Sequence, residues 1–152
     1  LTAKLIKKSS VNFLLIMKKY EQEAIDTALY WNEEGFNKRN QDVSVEHMHF
    51  PHIRLWENKF SIFKNKEEFL KGFDQQSKNL ASEGWNHTVT RSIKVIQSDP
   101  EKVHLILHQS RRDKNGKEYH NFHTLWIMTK INEKWGIQFR SSFLEGASMT
   151  SY

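Results

Sequence analysis

The sequence predicts one α+β domain, in which three N-terminal helices pack on a strongly curved, six-stranded mixed sheet. Apolar residues repeat every three or four positions in the first half of the chain and every second position after Trp85. Helices followed by a run of strands are typical of α+β domains. A chain of 152 residues is long enough for one such domain.

The helical pattern begins near residue 20. Residues 20–39 carry apolar side chains at helical spacing, with charged residues between them. Residues 41–48 are predicted to form a short second helix, which ends before Pro51. Residues 66–80 are predicted to form the third helix, and Gly84 is well placed to end it as a C-terminal cap.

The predicted strands fall into a short hairpin and a longer meander. The hairpin covers residues 53–56 and 60–63, before the third helix. Four longer segments follow Gly84, and turn-forming residues separate them from one another. They are residues 85–97, 102–112, 117–131 and 134–143.

The composition excludes several classes of protein. Ten Phe, five Trp and four Tyr indicate a folded domain rather than a disordered chain. The absence of cysteine excludes disulfides, thiolate catalysis and cysteine-ligated metals. No apolar run reaches the length of about 18 residues that a membrane span requires, so we expect no membrane partner.

The net charge of +5 lies in an N-terminal extension, residues 1–19, which contains five lysines and no acidic residue. The predicted domain, residues 20–145, and the tail, residues 146–152, are together close to neutral. Nucleic-acid binding requires basic residues on the folded surface, so we expect no nucleic-acid partner.

The extension contains lysines followed by a short apolar stretch, which faintly resembles a signal peptide. The stretch is short and meets Lys18 and Lys19 instead of a small-residue cleavage site. We therefore expect a cytoplasmic protein in which residues 1–16 are dispensable for folding. The alternative is that Phe13, Leu14 and Ile16 pack on the domain as an added turn.

Five short segments resemble a known family, the nuclear-transport-factor-2-like (SnoaL-like) superfamily, and in particular its uncharacterised bacterial members. The resemblance covers residues 20–143 and implies a cone-shaped, cystatin-like fold. That fold hosts unrelated activities, among them polyketide cyclases and ketosteroid isomerases. The matching segments are Tyr30-Trp31-Asn32, residues 49–54, Gly84-Trp85-Asn86-His87, residues 99–104 and residues 135–143.

The resemblance also implies where an isomerase would carry its reactive groups. The general base falls at Trp56, the tyrosine at Asn32 and the oxyanion acid at Ile127. Tryptophan and isoleucine have no carboxyl group, and an amide cannot replace the acidity of a phenol. The ketosteroid isomerase mechanism is therefore excluded.

If the strands alternate as they do in this family, polar and aromatic side chains converge in the cone, which is typical of a small-molecule site. His87 and His123 are the candidate acid or base groups, since imidazole titrates near neutral pH. Each of these residue types also has a purely structural explanation. Buried arginines pair with glutamates, histidines of the core or rim form hydrogen bonds, and tryptophans pack in the core. The expected ligand-binding residues are Trp31, Asn32, His52, Arg54, Trp56, Trp85, Gln109, Arg111 and Asn121.

A metal site is a competing interpretation, because five histidines form two tight groups. His47, His49 and His52 do not share one face on a strand or on a helix, and His120 and His123 are only a pair. We therefore expect no metal and no other cofactor.

The predicted outer face of the sheet combines apolar and histidine side chains, and such a patch predicts a homodimer. It would contain Ile106, Phe122, Trp126 and Met128, with His104, His108 and Arg140 among them.

The sequence leaves two functions open. One is a small-molecule-binding pocket protein, with or without an enzymatic activity of the cyclase or isomerase kind. Its ligand would be anionic and ring-bearing, because the planar forks of Arg54 and Arg111 suit carboxylates. The alternative is a non-catalytic dimeric module that binds a ligand or another protein.

Overall fold

The computed structural model describes residues 17–144. The expectations for residues 1–16 and for the tail 146–152 lie outside this range. Helix α1 is Lys19–Tyr30, and a π-helical segment, Trp31–Asn37, continues it. The remaining described helices are α2 (Gln41–Glu46), α3 (Lys66–Lys71) and α4 (Phe73–Ser82).

The helices follow the predicted order, with one difference in the third. The predicted third helix is divided at Gly72, which has φ −91° and ψ −6°, into α3 and α4. Asn65 caps the first of these helices by accepting a hydrogen bond from the Glu68 amide at 3.0 Å.

Six strands form one mixed sheet in the order β2-β1-β6-β5-β4-β3. β1 and β6 are parallel, and every other neighbouring pair is antiparallel. The predicted α+β class and six-stranded mixed sheet are therefore confirmed. The strands are β1 (Met48–Trp56), β2 (Lys59–Phe63), β3 (His87–Asp99), β4 (Lys102–Arg112), β5 (Glu118–Ile131) and β6 (Lys134–Ser142).

β1 begins five residues earlier than predicted and includes Pro51. The pairing of β1 with β6 shifts between Met48 and Ile53, so Pro51 falls in an irregular part of the ladder. Proline has no amide hydrogen, and a bulge is one of the few places where a sheet tolerates it. The helix predicted for residues 41–48 therefore ends before Pro51 as expected, at Glu46, while the strand predicted from residue 53 begins at Met48.

The core lies between α1 and the concave face of the sheet. Ala24, Ile25 and Ala28 form the buried stripe of α1. Burying this apolar area contributes roughly 25 cal/mol per Å² to stability. The stripe belongs to one cluster with inward-facing strand residues that include Val103, Leu105, Leu107, Met128 and Ile137.

The inward face of β5 differs from the prediction by one residue. Arg111 pairs with His120 across β4 and β5, so the even-numbered residues of β5 face inward with the odd-numbered residues of β4. A shift of one residue exchanges the two faces of a strand. Leu125 to Met128 are apolar at every position, so the pattern could not distinguish the faces.

Bulges also change which residues of β6 and β3 face inward. Ile127 pairs with Phe139 while Met128 pairs with Ile137, so Gln138 is an extra residue. Arg140 therefore faces inward, although the sequence placed it outside. On β3 the register shifts between Thr90 and Ser92, and Thr88 rather than His87 is buried.

The close approach of Gly136 to the His49 ring generates a stability prediction. A Cβ atom at Gly136 would lie 2.7 Å from Cδ2 of His49. The ring is held by a 2.8 Å hydrogen bond between its Nδ1 and Oγ1 of Thr129. Gly136→Ala should lower the free energy of unfolding by about 1–3 kcal/mol, the cost of overpacking, in urea denaturation.

Gly72→Ala is the matched control, because its Cβ would have only the carbonyl oxygen of Phe69 within 4 Å, at 3.9 Å. Its effect should stay within about 1 kcal/mol. Equal urea midpoints for wild type and Gly136→Ala would contradict the argument.

Candidate ligand-binding site

A cavity of about 40 Å³ lies between the π-helical segment and the sheet; we call it the cone cavity. Two arginines, three amide side chains, three hydroxyls and four aromatic rings line it, and none of these described residues is acidic. They are Arg111, Arg140, Asn32, Gln76, Gln109, Thr88, Thr124, Ser142, Trp31, Phe36, Phe122 and Trp126.

Arg140 is the buried cation at the centre of this site. Its guanidinium carbon lies 4.9 Å from the ring centroid of Trp31 and 5.9 Å from that of Trp126. The two indole rings meet edge to face, with centroids 5.4 Å apart. Arg140 therefore packs on two aromatic walls, an arrangement that stabilises a desolvated cation by about 2 kcal/mol.

Both indole groups are fixed by hydrogen bonds. Nε1 of Trp31 donates to the carbonyl oxygen of Ser44 at 3.1 Å, and Nε1 of Trp126 donates to Oγ1 of Thr124 at 3.1 Å. Trp31 begins the π-helical segment, and such segments are frequent at functional sites. Hydrogen bonds therefore orient both indole walls of the cavity.

Arg111 enters the cone cavity from β4 and pairs with a carboxylate. Its Nη1 donates to Oε2 of Glu83 at 2.9 Å, and the Tyr119 hydroxyl donates to the same oxygen at 3.1 Å. The sequence analysis allowed for arginines paired with glutamates, and Glu83 is the glutamate that pairs with Arg111. Its position directly after α4 brings the carboxylate to the wall of the cavity.

The amide side chains connect the π-helical segment to the sheet. Nδ2 of Asn32 donates to the carbonyl oxygen of Thr88 at 3.0 Å. Oε1 of Gln109 accepts from Oγ1 of Thr90 at 2.9 Å. These amides therefore hold the cavity in shape as well as line it.

The interior of the cone is electropositive. Burial and the nearby charge of Arg140 lower the pKa of Arg39 to about 10. Burial, Arg140 and Arg54 hold the pKa of His52 well below its usual value, so the imidazole is neutral. A bound anion would relieve the mutual repulsion of these cations.

His52 has a defined tautomer. Its Nδ1 lies 3.1 Å from the carbonyl oxygen of Ile137. A carbonyl can only accept, so Nδ1 carries the proton and donates. Its Nε2 is buried and has no hydrogen-bond partner among the described residues. His52 does not line the cone cavity and lies buried on β1.

The predicted site residues divide into those inside the cone and those outside. Trp31, Asn32, Gln109 and Arg111 line the cone cavity. His52 and Trp56 are buried on β1 without lining it. Arg54 lines a second cavity between the β1–β2 hairpin and helices α3 and α4.

Trp85 lies beside the cone cavity and helps to fix its wall. It is half-buried and meets Phe36 edge to face, with ring centroids 5.5 Å apart. Its Nε1 donates to Oγ1 of Thr88 at 2.9 Å.

Asn121, His123 and His87 lie outside the cavity. Asn121 and His123 are exposed on the outer face of β5, because the inward set of this strand is shifted by one residue. The His123 ring stacks on His108 with centroids 4.4 Å apart. His87 lies at the start of β3, and its Nδ1 is 2.9 Å from Oδ1 of Asn86.

Several lining residues escaped the sequence analysis. Arg140, Thr124 and Ser142 face inward only because of the β5 register and the β6 bulge. Gln76 belongs to a polar run, residues 75–78, within the predicted third helix. No local signal in the sequence marks a bulge at Gln138, so these residues could not be found from alternation alone.

The three isomerase positions are not assembled around one cavity. Asn32 lines the cone cavity, Trp56 is buried beyond it, and Ile127 faces outward. The inward-facing neighbours of Ile127 are Trp126 and Met128, which also lack an acidic group.

Within residues 17–144, no group of three or more histidine or acidic side chains is close enough to hold a metal ion. Nor does that range contain a helix long and apolar enough to cross a bilayer.

The neutral His52 predicts a pH effect. Its pKa is lowered in the folded state, so the stability it contributes is present above the unfolded pKa of about 6.5 and is lost as pH falls below it. Wild type should therefore lose unfolding free energy between pH 7 and 5 more steeply than His52→Gln, by up to about 1.4 kcal/mol per pH unit. Urea unfolding at several pH values measures this difference, with His87→Gln as the control. Identical slopes for wild type and His52→Gln would contradict it.

Comparisons with solved structures identify the fold. A protein of unknown function with a cystatin-like fold from Nostoc punctiforme aligns with a TM-score of 0.68 at 12% identity, covering 87% of this chain and 96% of that chain. An NTF2-like protein from Novosphingobium aromaticivorans aligns with a TM-score of 0.67 at 12% identity, covering 99% and 96%. A candidate aromatic ring hydroxylase from the same organism aligns with a TM-score of 0.64 at 8% identity, covering 85% and 92%. Identities this low establish the fold alone.

A search of the curated proteins found no match to the chain. A family model does match it: residues 28–139 fit the family described as NTF2-like protein (DUF6841). The match covers most of the chain and includes helix α2, both hairpin strands and most of the meander. The chain therefore belongs to the NTF2-like DUF6841 family, with the cone-shaped fold that its sequence predicted.

Proposed function

We propose that this protein binds an anionic, ring-bearing small molecule and holds its acid group in the cone cavity. One observation carries the proposal: two buried arginines, Arg111 and Arg140, line a cavity in which none of the described lining residues is acidic. Buried cations are costly unless negative charge compensates them, and Glu83 provides such charge for Arg111. A carboxylate ligand would supply further negative charge.

The surrounding groups favour a planar acid over a neutral ligand. A guanidinium donates two parallel hydrogen bonds to a carboxylate, which a neutral carbonyl cannot match in strength. Trp31, Phe36 and Trp126 offer flat apolar surface beside the cations. A neutral steroid-like ligand would add no negative charge to this cationic interior.

Ligand binding has more support than catalysis by His87 and His123, the two histidines that the sequence suggested as acid or base. His87 and His123 lie outside the cone cavity, so neither can exchange a proton with a molecule held there in this conformation. An enzymatic role would require another group. Turnover that survives in both His87→Ala and His123→Ala would exclude these two as the acid and base.

Arg140→Met tests the anion site. Benzoate is the probe, and benzamide is its neutral counterpart of the same shape. We expect wild type to prefer benzoate, and Arg140→Met to weaken benzoate binding by about 2 kcal/mol, roughly thirtyfold in Kd, in calorimetric titration. Removing the cation leaves the carboxylate without its charged donor.

Arg112→Met is the control, because Arg112 follows Arg111 on β4 but bonds to Ser110 and to the Gly116 carbonyl instead of lining the cavity. Its benzoate affinity should equal that of wild type. Equal binding of benzoate and benzamide, or an unchanged benzoate affinity in Arg140→Met, would refute the proposal.

A second proposal is a homodimer through the outer face of the sheet, and its residues differ from those that the sequence suggested. Phe122, Trp126, Met128 and Arg140 belong to the inner face. On the outer face, two adjacent rows of residues that are neighbours across the strands carry apolar side chains instead. The first row contains Ile62, Ile53, Phe139 and Ile127; the second contains Phe60, Leu55, Leu125 and Ile106, with Ser141 between Leu55 and Leu125.

Such a largely apolar patch favours association with a second copy, because a two-fold interface buries the same surface on both subunits. Light scattering should report about twice 18.1 kDa. Ile127→Glu should give a monomer, since it places an unpaired charge in the interface. Leu29→Glu, at an exposed position on α1, should leave the mass unchanged. A monomeric wild type would exclude the dimer.

A further inference from the structure

A second cavity, of about 180 Å³, adjoins the cone cavity; we call it the hairpin cavity. It lies between the β1–β2 hairpin and helices α3 and α4. Phe63, Phe69 and Phe73 form its apolar wall, and Arg54 and Gln76 contribute polar groups. The Arg54 guanidinium carbon is 5.0 Å from the ring centroid of Phe63 and 5.3 Å from that of Phe69.

The two volumes decide where a ring can fit. The cone cavity, at about 40 Å³, has room for about three water molecules. An apolar cavity of about 150 Å³ in another protein binds benzene. The hairpin cavity, at about 180 Å³, exceeds that size. A ring of benzene size therefore fits the hairpin cavity and not the cone cavity.

One side chain is common to the walls of both cavities. Gln76 is 8% exposed and lines each of them. Its Oε1 accepts a hydrogen bond of 2.7 Å from Nη2 of Arg39. Gln76 therefore forms a partition, and this single hydrogen bond holds its amide to Arg39.

Arg39 is itself held between the cavities. Its guanidinium carbon lies 5.0 Å from the ring centroid of Phe36, in the cone cavity wall, and 4.1 Å from that of Phe73, in the hairpin cavity wall. Its Nε donates to Oγ of Ser77 at 2.9 Å, which sets the direction of the guanidinium plane. Nη1 is buried and has no hydrogen-bond partner among the described residues. Of the two terminal nitrogens of Arg39, only Nη2 therefore donates a hydrogen bond within residues 17–144.

We propose that the ligand carboxylate replaces the Gln76 amide on Arg39 and accepts hydrogen bonds from both Nη1 and Nη2, while the ring occupies the hairpin cavity. This inference rests on the proposed function, and it assigns the ligand class to ring carboxylates whose ring and acid group are directly joined. Displacement of Gln76 joins the two cavities, so that the acid group also meets the positive charge of Arg140.

Replacing the Gln76 amide on Arg39 by a ligand carboxylate is chemically favourable. A carboxylate is a stronger acceptor than an amide, and two parallel bonds replace one. The ring then packs against three phenylalanines, which provide the edge and face contacts that aromatic groups prefer.

A crystal structure with 4-bromobenzoate tests the placement directly, since the anomalous signal of bromine marks the ring. We expect bromine beside Phe63, Phe69 and Phe73, the carboxylate on both Nη atoms of Arg39, and the Gln76 amide turned away. Bromine elsewhere, a Gln76 amide still bonded to Arg39, or no bound probe at millimolar concentration would overturn the inference.

Titration with benzoate provides a second test in solution. Arg39→Met should weaken binding about tenfold or more, because it removes the proposed fork. Gln76→Ala should strengthen it, because it removes the partition and the competing acceptor. Gln75→Ala, one residue earlier on α4 and lining only the hairpin cavity, should change little. Unchanged affinity in Arg39→Met, or weaker binding in Gln76→Ala than in Gln75→Ala, would overturn the inference.

Failure of this inference can be told apart from failure of the proposed function. If benzoate binding depends on Arg140 but not on Arg39, the anion site stands and the hairpin cavity is not the ring site. If wild type and Gln76→Ala both fail to bind benzoate at millimolar concentration, both proposals fall.

Discussion

The contact of Arg140 with Trp31 and Trp126 is the interaction around which this cone is organised. It places a permanent cation in the interior, where the two indole rings replace part of its lost hydration. That charge then affects its surroundings: it lowers the pKa of Arg39 and helps to keep His52 neutral. The chemistry of the interior is therefore cationic, and any ligand must be compatible with that charge.

Helix α4 links the cationic interior to the rest of the molecule. Gln76 on this helix accepts from Arg39, and Glu83 just after it accepts from Arg111. The two acceptors lie at opposite ends of the helix and hold two different arginines. The position of α4 thus sets the direction of both guanidinium groups, and the division of the helical region at Gly72 permits that position.

The inner and outer faces of the sheet differ in chemistry. The inner face gathers arginines, amides and aromatic rings around the cavities, while the outer face presents two apolar rows. Strand alternation separates these sets, and the bulge at Gln138 assigns Arg140 to the inner set. Without that extra residue, the cation would lie among the outer rows and the cavity would lose its central charge.

The sequence by itself determined the class of fold, the order of elements and much of the core, because helical and strand periodicities are local properties of hydrophobicity. It also pointed to four residues that line the cone cavity: Gln109 and Arg111 on the regularly alternating strand β4, and Trp31 and Asn32 in the π-helical segment. Only the tertiary structure decided the faces of β5 and the later part of β6. Leu125 to Met128 are apolar on both faces, and a one-residue bulge at Gln138 leaves no trace in a hydrophobic pattern. Asn121 and His123 were therefore misplaced and Arg140 was missed, because a shift of one residue exchanges inside and outside along the rest of a strand.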